Sequence, residues 1–538
     1  MQEKEAKYIV VSGGVLSGLG KGLFISSLGF LLQSKGYKVV PIKIDPYLNV
    51  DAGTMNPMEH GEVFVLDDGT EADMDLGNYE RFMNLTLTSK SNITTGKIFK
   101  GVIEKERRGD YLGQTVQLIP HITDELQRRY KEIAKENQAE IVLIEIGGTV
   151  GDIENQIFLE SVRQLSSTED VFFVHCSLVP ILSVVGEQKT KPTQQSVKML
   201  NEAGIFPDMI FARSSKELEE KTKEKISRFC GVKPEYVISG KDLKNIYEIP
   251  LVLEEQMVAE KILSKMGLFP KKNNLSGWGE FVSKMNNATE EITIAITGKY
   301  VDLKDSYVSI KESLMHCSGK FGCKINIRWI ETSEIEIGKI KTTEVLKGVD
   351  GIIVPGGFGK RGIEGKIQCI QYAREKNIPF LGICLGFQLA VIEFARNVCG
   401  LSHANTTEID PSAIHPVIDI LEFQKKILDK GGTMRLGKYP AKLKDNSKIK
   451  ELYGEENIFE RHRHRFEVNP FYINTLEEKG LIFSGKSPDG ELMEFLENPN
   501  LDFFIGTQAH PELTSKPLKP NPMFVGLIQS CLNRKHNF

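Results

Sequence analysis

The stretch Leu381-Gly-Ile-Cys-Leu-Gly-Phe-Gln388 lies between an apolar run at 378–381 and a segment at 388–396 with the composition of a helix. Its glycines at 382 and 386 permit the tight strand-to-helix turn that exposes a nucleophile, here Cys384. The N-terminus of the following helix favours the thiolate form of a cysteine at such a turn. An isolated cysteine is more often a small buried residue, so its interpretation as a nucleophile depends on the rest of the sequence.

Two other segments supply partners for this cysteine. A strand-like run at 503–508 ends just before His510 and Glu512. Side chains two residues apart on an extended segment face the same way, so Glu512 is expected to orient His510 as a base. Upstream, a strand-like run at 351–354 leads into Gly356 and Gly357, where a free backbone N–H would serve as an oxyanion hole. In this order the three segments resemble a class I glutamine amidotransferase, which releases ammonia from glutamine through a thioester.

Composition limits the classes of protein that fit. With 538 residues the chain is expected to form two or three domains. A formal net charge of −4 at pH 7 does not favour nucleic acid or a membrane as a partner. No apolar run approaches the roughly 20 residues of a membrane span, and no secretory signal is apparent at the start. The eight cysteines form no Cys-x-x-Cys pair, which favours a reduced, cytoplasmic enzyme.

A glycine-rich loop near the N-terminus predicts phosphate binding. The β-branched run 8–11 leads into residues 12–21, which end in Lys21, and a helix is expected at about 22–33. Backbone N–H groups, a helix N-terminus and one lysine together suit phosphate oxygens. The spacing departs from the Walker pattern, because five residues separate Gly14 from Gly20 and Gly22 stands where a Ser or Thr would help hold Mg²⁺.

Acidic residues follow several strand-like runs in the same half of the chain. Runs at 38–44, 60–66 and 140–146 read as strands, and an acidic turn covers 67–75. Carboxylates at strand ends lie beside the phosphate loop in nucleotide-binding folds, where hard oxygens hold Mg²⁺. Asp75 and Glu145 are therefore the candidate Mg²⁺ ligands.

Six segments together resemble the CTP synthase family in order, spacing and length. They are Ser12-Gly-Gly-Val-Leu-Ser-Gly-Leu-Gly-Lys-Gly22, Lys43-Ile-Asp-Pro-Tyr47, His60-Gly-Glu-Val-Phe-Val65, Asp73-Met-Asp-Leu-Gly-Asn-Tyr-Glu-Arg-Phe82, Gly147-Gly-Thr-Val-Gly-Asp-Ile-Glu154 and Lys189-Thr-Lys-Pro-Thr-Gln194. The resemblance implies that ATP phosphorylates O4 of UTP and that ammonia from glutamine displaces the phosphate, the last step of de novo CTP synthesis. It also implies Mg²⁺, feedback inhibition by CTP, activation by GTP, and no organic prosthetic group.

The resemblance assigns residues to the nucleotide sites of the first half. For ATP they are Ser12, Gly14, Leu16, Gly18, Leu19, Gly20, Lys21, Lys43 and Asp75. For UTP and CTP they are Ser12, Asp152, Ile153, Glu154, Lys189, Lys191, Gln194 and, on a weaker local match, Lys225. Asp75 and Glu145 would ligate Mg²⁺.

In the second half the resemblance implies Cys384, His510 and Glu512 as catalytic residues. The glutamine-binding residues would be Gly356, Gly357, Leu385, Gln388 and Arg465. Arg361 lies in a lid at which GTP would act, and His60 matches a position in an ammonia tunnel. The basic run at 461–466 matches the family's Arg-His-Arg-His-Arg run, so it is not taken as a nucleic-acid site. Gln195 and Ala509 depart from the family pattern without removing a catalytic charge.

A helix is expected over 254–266, and the polar, glycine-bearing segments that follow near 271–279 and 286–291 indicate a domain boundary. We expect an amidoligase domain at 1–270, a linker at 271–290 and a glutamine amidotransferase domain at 291–538. The expected fold class is α/β: a P-loop-type doubly wound parallel sheet followed by a class I glutamine amidotransferase domain. A homotetramer, and filaments, are family expectations only.

Two alternatives remain at this stage. Another amidotransferase, such as a cobyrinate amidase, would also pair a P-loop-like half with a glutaminase half, but would not need the run at 147–154. Activity on UTP separates the two. A structural, noncatalytic role in filaments is the other alternative, and the presence of Cys384, His510 and Glu512 argues against it.

Overall fold

The computed structural model describes residues 6–53, 55, 61–182, 186–275, 277–298, 304–357, 359–420 and 434–537. The chain forms two compact units, Met1–Met55 with Glu71–Gly279, and Asn56–Thr70 with Glu280–Phe538. Residues 56–70 therefore belong to the second unit although they lie in the first half of the sequence. The segment expected to be a linker contains the helix Trp278–Asn286.

The strands of the described residues are numbered in chain order. They are Lys7–Gly13 (β1), Val39–Asp45 (β2), Phe64–Val65 (β3), Glu71–Ala72 (β4), Asn92–Thr94 (β5), Ile141–Ile146 (β6), Val171–Leu178 (β7), Met209–Ser214 (β8), Val237–Lys241 (β9), Glu290–Gly298 (β10), Cys323–Glu331 (β11), Gly351–Val354 (β12), Phe380–Ile383 (β13), Ala404–Thr406 (β14), His415–Asp419 (β15), Arg435–Leu443 (β16), Asn457–His464 (β17), Glu467–Val468 (β18), Ile482–Lys486 (β19), Met493–Glu497 (β20) and Phe504–Thr507 (β21).

The helices are given by their bounds. In the first unit they are Lys21–Ser34, Met74–Met83, Thr95–Arg108, Thr123–Glu136, Gln156–Leu165, Lys191–Glu202, Glu220–Cys230, Ile249–Glu255 and Val258–Lys265. In the second they are Val308–Phe321, Thr332–Glu336, Thr342–Val345, Ile363–Glu375, Leu385–Asn397, Lys448–Tyr453, Ile473–Glu478 and Pro522–His536.

The first unit is built on a sheet with the order β5-β2-β6-β1-β7-β8-β9, in which every neighbouring pair is parallel. The chain winds outward from β1 in both directions, so the expected doubly wound fold is confirmed. All residues of β2 and β6 are buried, as in strands covered on both faces. The switch in winding direction places the loop after β1 and the ends of β2 and β6 at one edge.

The second unit is built on a sheet with the order β11-β10-β12-β13-β21-β20-β19-β16-β17. Along this order, each neighbouring pair in β11-β10-β12-β13-β21 is parallel. Each neighbouring pair in β21-β20-β19-β16-β17 is antiparallel. Two hydrophobic clusters contain alternate residues of β10, and Ile294 and Ala295 belong to different ones. The α/β architecture expected for this unit is confirmed.

Two elements differ from the sequence-based expectation. The helix expected over 254–266 is interrupted, because Met257 has a left-handed φ of 54° between two shorter helices. The strand expected over 60–66 is limited to Phe64–Val65 among the described residues. In the parts of the chain that the structure covers, no helix has the length and apolar character needed to cross a membrane.

Candidate glutaminase and nucleotide sites

Cys384 lies at the turn between β13 and the helix Leu385–Asn397. It takes φ 51° and ψ −100°, a backbone conformation that is strained for a residue with a side chain. Its N–H donates to the carbonyl of Thr507 at 2.8 Å, which fixes the turn against β21. The strand-to-helix turn inferred from the sequence is therefore the geometry that the structure has at this position.

The two flanking glycines are required by close packing. A Cβ atom on Gly382 would lie 2.8 Å from the carbonyl of Gly386. A Cβ on Gly386 would lie 2.0 Å from the carbonyl oxygen of Val354, closer than atoms approach in proteins. Any side chain at either position would move the turn that carries Cys384.

His510 and Glu512 are hydrogen-bonded, with 2.7 Å between Nδ1 and Oε1. The prediction that these two residues lie on one extended segment is wrong, because Pro511–Leu513 forms a 3-10 helix. The short turn still brings both side chains to one side. Burial opposes the charge on the imidazole, but Glu512 and Cys384 outweigh it and raise the pKa of His510 well above its ordinary value. The arrangement suits an imidazolium beside a thiolate.

A cavity of about 310 Å³ joins these groups. Cys384, His510 and Gly356 line it, and a Cβ on Gly356 would lie 2.9 Å from Cε1 of His510. Glu62 and Val63, from the segment that the first half of the sequence contributes to this unit, also line the cavity. Sequence reasoning did not find this contribution, because nothing near residue 62 resembles a glutaminase motif.

A second, smaller cavity of about 40 Å³ lies on the same cysteine. Four of the residues expected to bind glutamine line it together with Cys384, namely Gly357, Leu385, Gln388 and Arg465. The Nε atom of Arg465 is buried and has no hydrogen-bond partner among the described residues. A buried guanidinium N–H without a partner suits a carboxylate, because leaving it unpaired is costly.

The glycine-rich loop joins β1 to the helix Lys21–Ser34. Gly18 and Gly20 have left-handed φ values of 73° and 87°. Lys21 donates to the carbonyl of Gly148 at 3.0 Å, and Arg213 donates to the carbonyl of Gly18 at 2.7 Å. The loop, the lysine and a helix N-terminus meet at the edge where β1 and β6 end, as phosphate binding requires.

Asp75 occupies the space beside Gly22. A Cβ on Gly22 would lie 2.1 Å from Oδ1 of Asp75. The departure from the Walker pattern therefore has a physical reason, since a Ser or Thr would collide with the carboxylate that lies there. An acidic oxygen replaces the hydroxyl at this position of the loop.

Lys43 lies in a group of carboxylates. Its Nζ is 2.9 Å from Glu145 and 3.8 Å from Asp45, and it also pairs with Asp75. Burial raises the pKa of Asp45 to about 8, because one lysine does not balance these carboxylates. Among the described residues no three His, Cys, Asp or Glu side chains are arranged as a metal site. Asp75 and Glu145 fit Mg²⁺ as two protein ligands that phosphate oxygens and water would complete.

The residues expected to bind UTP lie on two adjoining segments. Asp152, Ile153 and Glu154 are exposed after β6. A Cβ on Gly151 would lie 2.9 Å from the side chain of Met199, so this loop contacts the helix Lys191–Glu202.

Lys189, Lys191 and Gln194 lie at the start of that helix. Lys189 pairs with Glu187 at 2.6 Å, and Gln194 donates to Thr190 at 2.9 Å. Lysines 189 and 225 both help to lower the pKa of Glu187. The charge of Lys225 thus acts on the same carboxylate that Lys189 pairs with.

Sequence reasoning missed a buried hydrogen-bond chain behind the loop. Ser12 and Ser196 contact opposite ring nitrogens of His175, at 2.9 and 2.7 Å. Burial lowers the pKa of His175 to about 3, so the ring is neutral. A Cβ on Gly14 would lie 1.5 Å from Oγ of Ser196. No pattern pointed to His175, which sits within an apolar strand.

An apolar cavity of about 120 Å³ adjoining Gly20 was also missed. Phe24, Phe211 and Ile249 are among its apolar lining, and Asp242 is among its polar lining. These residues are far apart in the sequence and form no motif.

The remaining expected features are His60, Arg361 and Ala509. His60 lies outside the described residues. Arg361 is exposed at the N-terminal side of the helix Ile363–Glu375. Ala509 is buried and its N–H donates to Oγ1 of Thr507 at 3.1 Å, so the small side chain occupies a closely packed position.

A doubly wound unit with a phosphate-type loop, joined to a unit with a Cys–His–Glu cavity, defines a glutamine-dependent amidotransferase fused to a synthetase. Residues 7–268 match the family model described as CTP synthase N-terminus, and residues 302–530 match Glutamine amidotransferase class-I. The chain belongs to the CTP synthase family. It is a ligase that forms CTP from UTP with ATP as cosubstrate and glutamine as nitrogen donor.

Known relatives match over almost the whole chain. A CTP synthase of Archaeoglobus fulgidus is 55% identical over 529 residues, and the match covers 98% of each chain. A CTP synthase of Pyrococcus furiosus is 56% identical over 533 residues, again with 98% of each chain covered. A solved glutaminase domain of Trypanosoma brucei CTPS with bound acivicin is 35% identical, with a TM-score of 0.43, and covers 45% of this chain and 94% of that chain. The resemblance inferred from the motifs is confirmed.

Proposed function

We propose that the enzyme works with two reaction centres, and that the cavity holding Cys384, His510 and Glu512 is the glutaminase. The observation that carries this is the strained Cys384 turn beside the His510–Glu512 hydrogen bond. In the proposed step the Cys384 sulfur attacks the glutamine carboxamide and forms the S–C bond. The imidazolium of His510, which holds the proton of the Cys384 thiol, gives it to the departing nitrogen, so ammonia leaves and a thioester remains. Water then releases glutamate.

Four groups would bind and stabilise the glutamine. A backbone N–H at the Gly356–Gly357 turn would stabilise the tetrahedral oxyanion. The guanidinium of Arg465 would bind the glutamine carboxylate, which supplies the partner that its Nε lacks within the described part of the chain. Leu385 and Gln388 would complete the small cavity beside Cys384.

The second centre is proposed at the loop after β1. Ser12, Gly14, Leu16, Gly18, Leu19, Gly20 and Lys21 would hold the ATP phosphates, and Lys43 would stabilise the transferring phosphoryl group. The apolar cavity beside Gly20 suits the adenine ring. Mg²⁺, held by Asp75 and Glu145, would offset the charge of the triphosphate. The excess of carboxylates around Lys43 supports a cation at this place.

UTP is proposed to bind beside this centre. Lysines 189, 191 and 225 and Gln194 would bind its triphosphate, while Asp152, Ile153 and Glu154 would contact the pyrimidine. The clustering of Lys189 and Lys225 around the exposed Glu187 supports a site for a polyanion. CTP carries the same triphosphate, so it would compete there as a feedback inhibitor.

Labelled UTP tests the chemistry of this centre. ATP transfers its γ-phosphoryl group to O4, ammonia bonds to C4, and the C4–O4 bond breaks so that phosphate leaves with that oxygen. UTP carrying a heavy oxygen isotope at O4 is expected to give inorganic phosphate that contains the label. Label recovered in water instead would rule out the phosphorylated intermediate.

Regulation and assembly are also part of the proposal. GTP would activate glutamine hydrolysis near Arg361, and ammonia would reach UTP without mixing with bulk water, past His60. The exposed apolar side chains of Leu112, Leu118 and Ile119 in the first unit suit a contact between copies, which supports a homotetramer. Sedimentation should give the mass of four chains, and a monomer at all concentrations would exclude this. Filaments and the cytoplasmic location stay predictions.

A further inference from the structure

Asp67 is held by two basic side chains within the second unit. Its carboxylate accepts from Nε of Arg461 at 2.6 Å and lies 3.2 Å from Nζ of Lys438. Its backbone carbonyl accepts from the N–H of Lys438 at 3.0 Å. A Cβ on Gly437 would lie 2.5 Å from the backbone nitrogen of Gly69, so the chain segments are in tight contact. Asp67 is held by side chain and backbone together.

Arg461 is the buried member of this group, with only 4% of its side chain exposed. Its guanidinium lies 5.4 Å from the ring centre of Phe64. Burial opposes the charge on Asp67, but Arg461 and Lys438 outweigh it and lower the pKa of Asp67. Removing one partner of a buried ion pair leaves the other charge uncompensated, so Arg461 would move if Asp67 lost its charge.

The same arginine supports the turn that carries His510. The carbonyl of Arg461 accepts from the N–H of His510 at 2.7 Å, and its Nη1 donates to the carbonyl of Leu513 at 3.5 Å. The preceding residue, Glu460, accepts from Oγ1 of Thr514 at 2.8 Å. Strand β17 therefore holds the turn at both ends. A shift of Arg461 would shift the imidazole relative to Cys384.

We propose that Asp67 is a positioning residue for glutamine hydrolysis, which acts through Arg461 on the backbone of His510. It does not touch glutamine. The inference rests on the proposed role of His510 as the acid–base group. Its consequence is that a residue encoded between two parts of the synthetase half sets the geometry of the glutaminase centre.

The test compares Asp67→Asn with Asp68→Asn in the full-length enzyme. Both remove one negative charge, but Asp68 is exposed, and its side chain accepts from the N–H of Thr70 within the same turn. Asp67→Asn is expected to lower kcat for glutamine-dependent CTP formation about tenfold with KM changed less than about twofold, because small misplacements of a catalytic group cost rate. CTP formation from ammonium chloride should be unchanged, Asp68→Asn should match the wild type, and Asp67→Glu should recover part of the rate.

A double variant tests the route through Arg461. If Asp67 acts through that residue, Asp67→Asn combined with Arg461→Gln should be no slower than Arg461→Gln alone. If the rate losses of the two single variants multiply in the double variant, Asp67 does not act through Arg461. Equal losses with glutamine and ammonium chloride, or a rate for Asp67→Asn like that of Asp68→Asn, would overturn the positioning role. If His510→Ala keeps the glutamine reaction, the proposed function itself fails, so the two failures are distinguishable.

Discussion

Gly22 shows what a single residue contributes to the synthetase site. The sequence marked it as a departure from the phosphate-loop pattern, but only the structure gives the reason, because the carboxylate of Asp75 takes the space that a side chain would need. The position cannot be read from local sequence, since the two residues lie on different helices. Gly22, which is unusual for the motif, thus leaves the space that Asp75 needs.

Gly22→Ser should therefore displace Asp75. The added Cβ would lie 2.1 Å from Oδ1, so we expect CTP formation from both nitrogen sources to fall more than about tenfold. Steady-state assays with glutamine and with ammonium chloride measure this. Gly279→Ser is the control, because a Cβ there meets nothing within 4 Å. A Gly22→Ser enzyme with the wild-type rate would show that Asp75 does not matter.

Glu512 should set the upper limit of the pH range for glutamine hydrolysis. It helps raise the pKa of His510, so Glu512→Gln lowers that pKa and the imidazolium is lost at a lower pH. We expect the alkaline limb of the pH profile of kcat/KM for glutamate release to move to lower pH. The raised pKa of His510 stabilises the folded protein at pH values below the unfolded-state pKa, and this stabilisation is lost as pH rises through the folded-state pKa. The difference in Tm between the wild type and Glu512→Gln should therefore shrink at high pH. The control Glu491→Gln, on the surface, should leave the profile in place; an unmoved profile in Glu512→Gln would contradict this role.

At the scale of the element, β17 organises the glutaminase. Its basic run resembles a surface for nucleic acid, but His462 and His464 are buried, and their pKa values are held well below the ordinary value by burial and by Arg435. The alternate residue Arg461 faces Asp67. Alternation along a strand could have been expected from sequence, but the burial of both Arg461 and His462 could not, because their partners come from β16 and from residues 61–70.

Arg435 should be essential to the stability of this region. It bonds to Glu494 at 2.7 Å and to Glu467 at 3.3 Å, and burial raises the pKa of Glu467 to about 8. Replacing it by methionine leaves two buried carboxylates without their cation, so we expect a loss of about 3–5 kcal/mol in unfolding free energy. Urea denaturation measures it. Lys442→Met removes an exposed ion pair made by the same strand and should lower the unfolding free energy by at most about 1 kcal/mol. Equal effects would contradict the buried-charge argument.

Elements with strong local patterns were predictable. The helix expected at 22–33 is Lys21–Ser34, and the strand expected at 140–146 is Ile141–Ile146. The helix break at Met257 was not predictable, because its left-handed backbone conformation usually indicates glycine and this residue is a methionine. The turn at Pro511–Leu513 was taken as extended, yet the contact between His510 and Glu512 was still expected correctly.

At the scale of the whole molecule, the sequence order and the spatial units differ. Residues 56–70 lie within the first half of the chain but belong to the second unit. Motif reading could assign each half its chemistry, because each motif is local. It could not find Glu62, Asp67, His175 or the apolar cavity beside Gly20, because these depend on contacts between distant parts of the chain.

Removing divalent cations should separate the two centres. With a chelator in excess, CTP formation from either nitrogen source should be abolished, because the carboxylates at Asp75 and Glu145 would have no Mg²⁺ to hold against the phosphates. Alkylation of Cys384 by a reactive glutamine analogue should continue, since no step there uses a metal. Mass spectrometry of the modified chain measures it. Alkylation that stops with the chelator would show that the centres are not chemically separate.

The most direct test of the two-centre account is the absorbance change as UTP becomes CTP, with ATP and Mg²⁺, measured in parallel with glutamine and with ammonium chloride. The account predicts product from both nitrogen sources in the wild type, and loss of only the glutamine reaction in Cys384→Ala. A Cys384→Ala enzyme that still uses glutamine, or one that also fails with ammonium chloride while remaining folded, would contradict it.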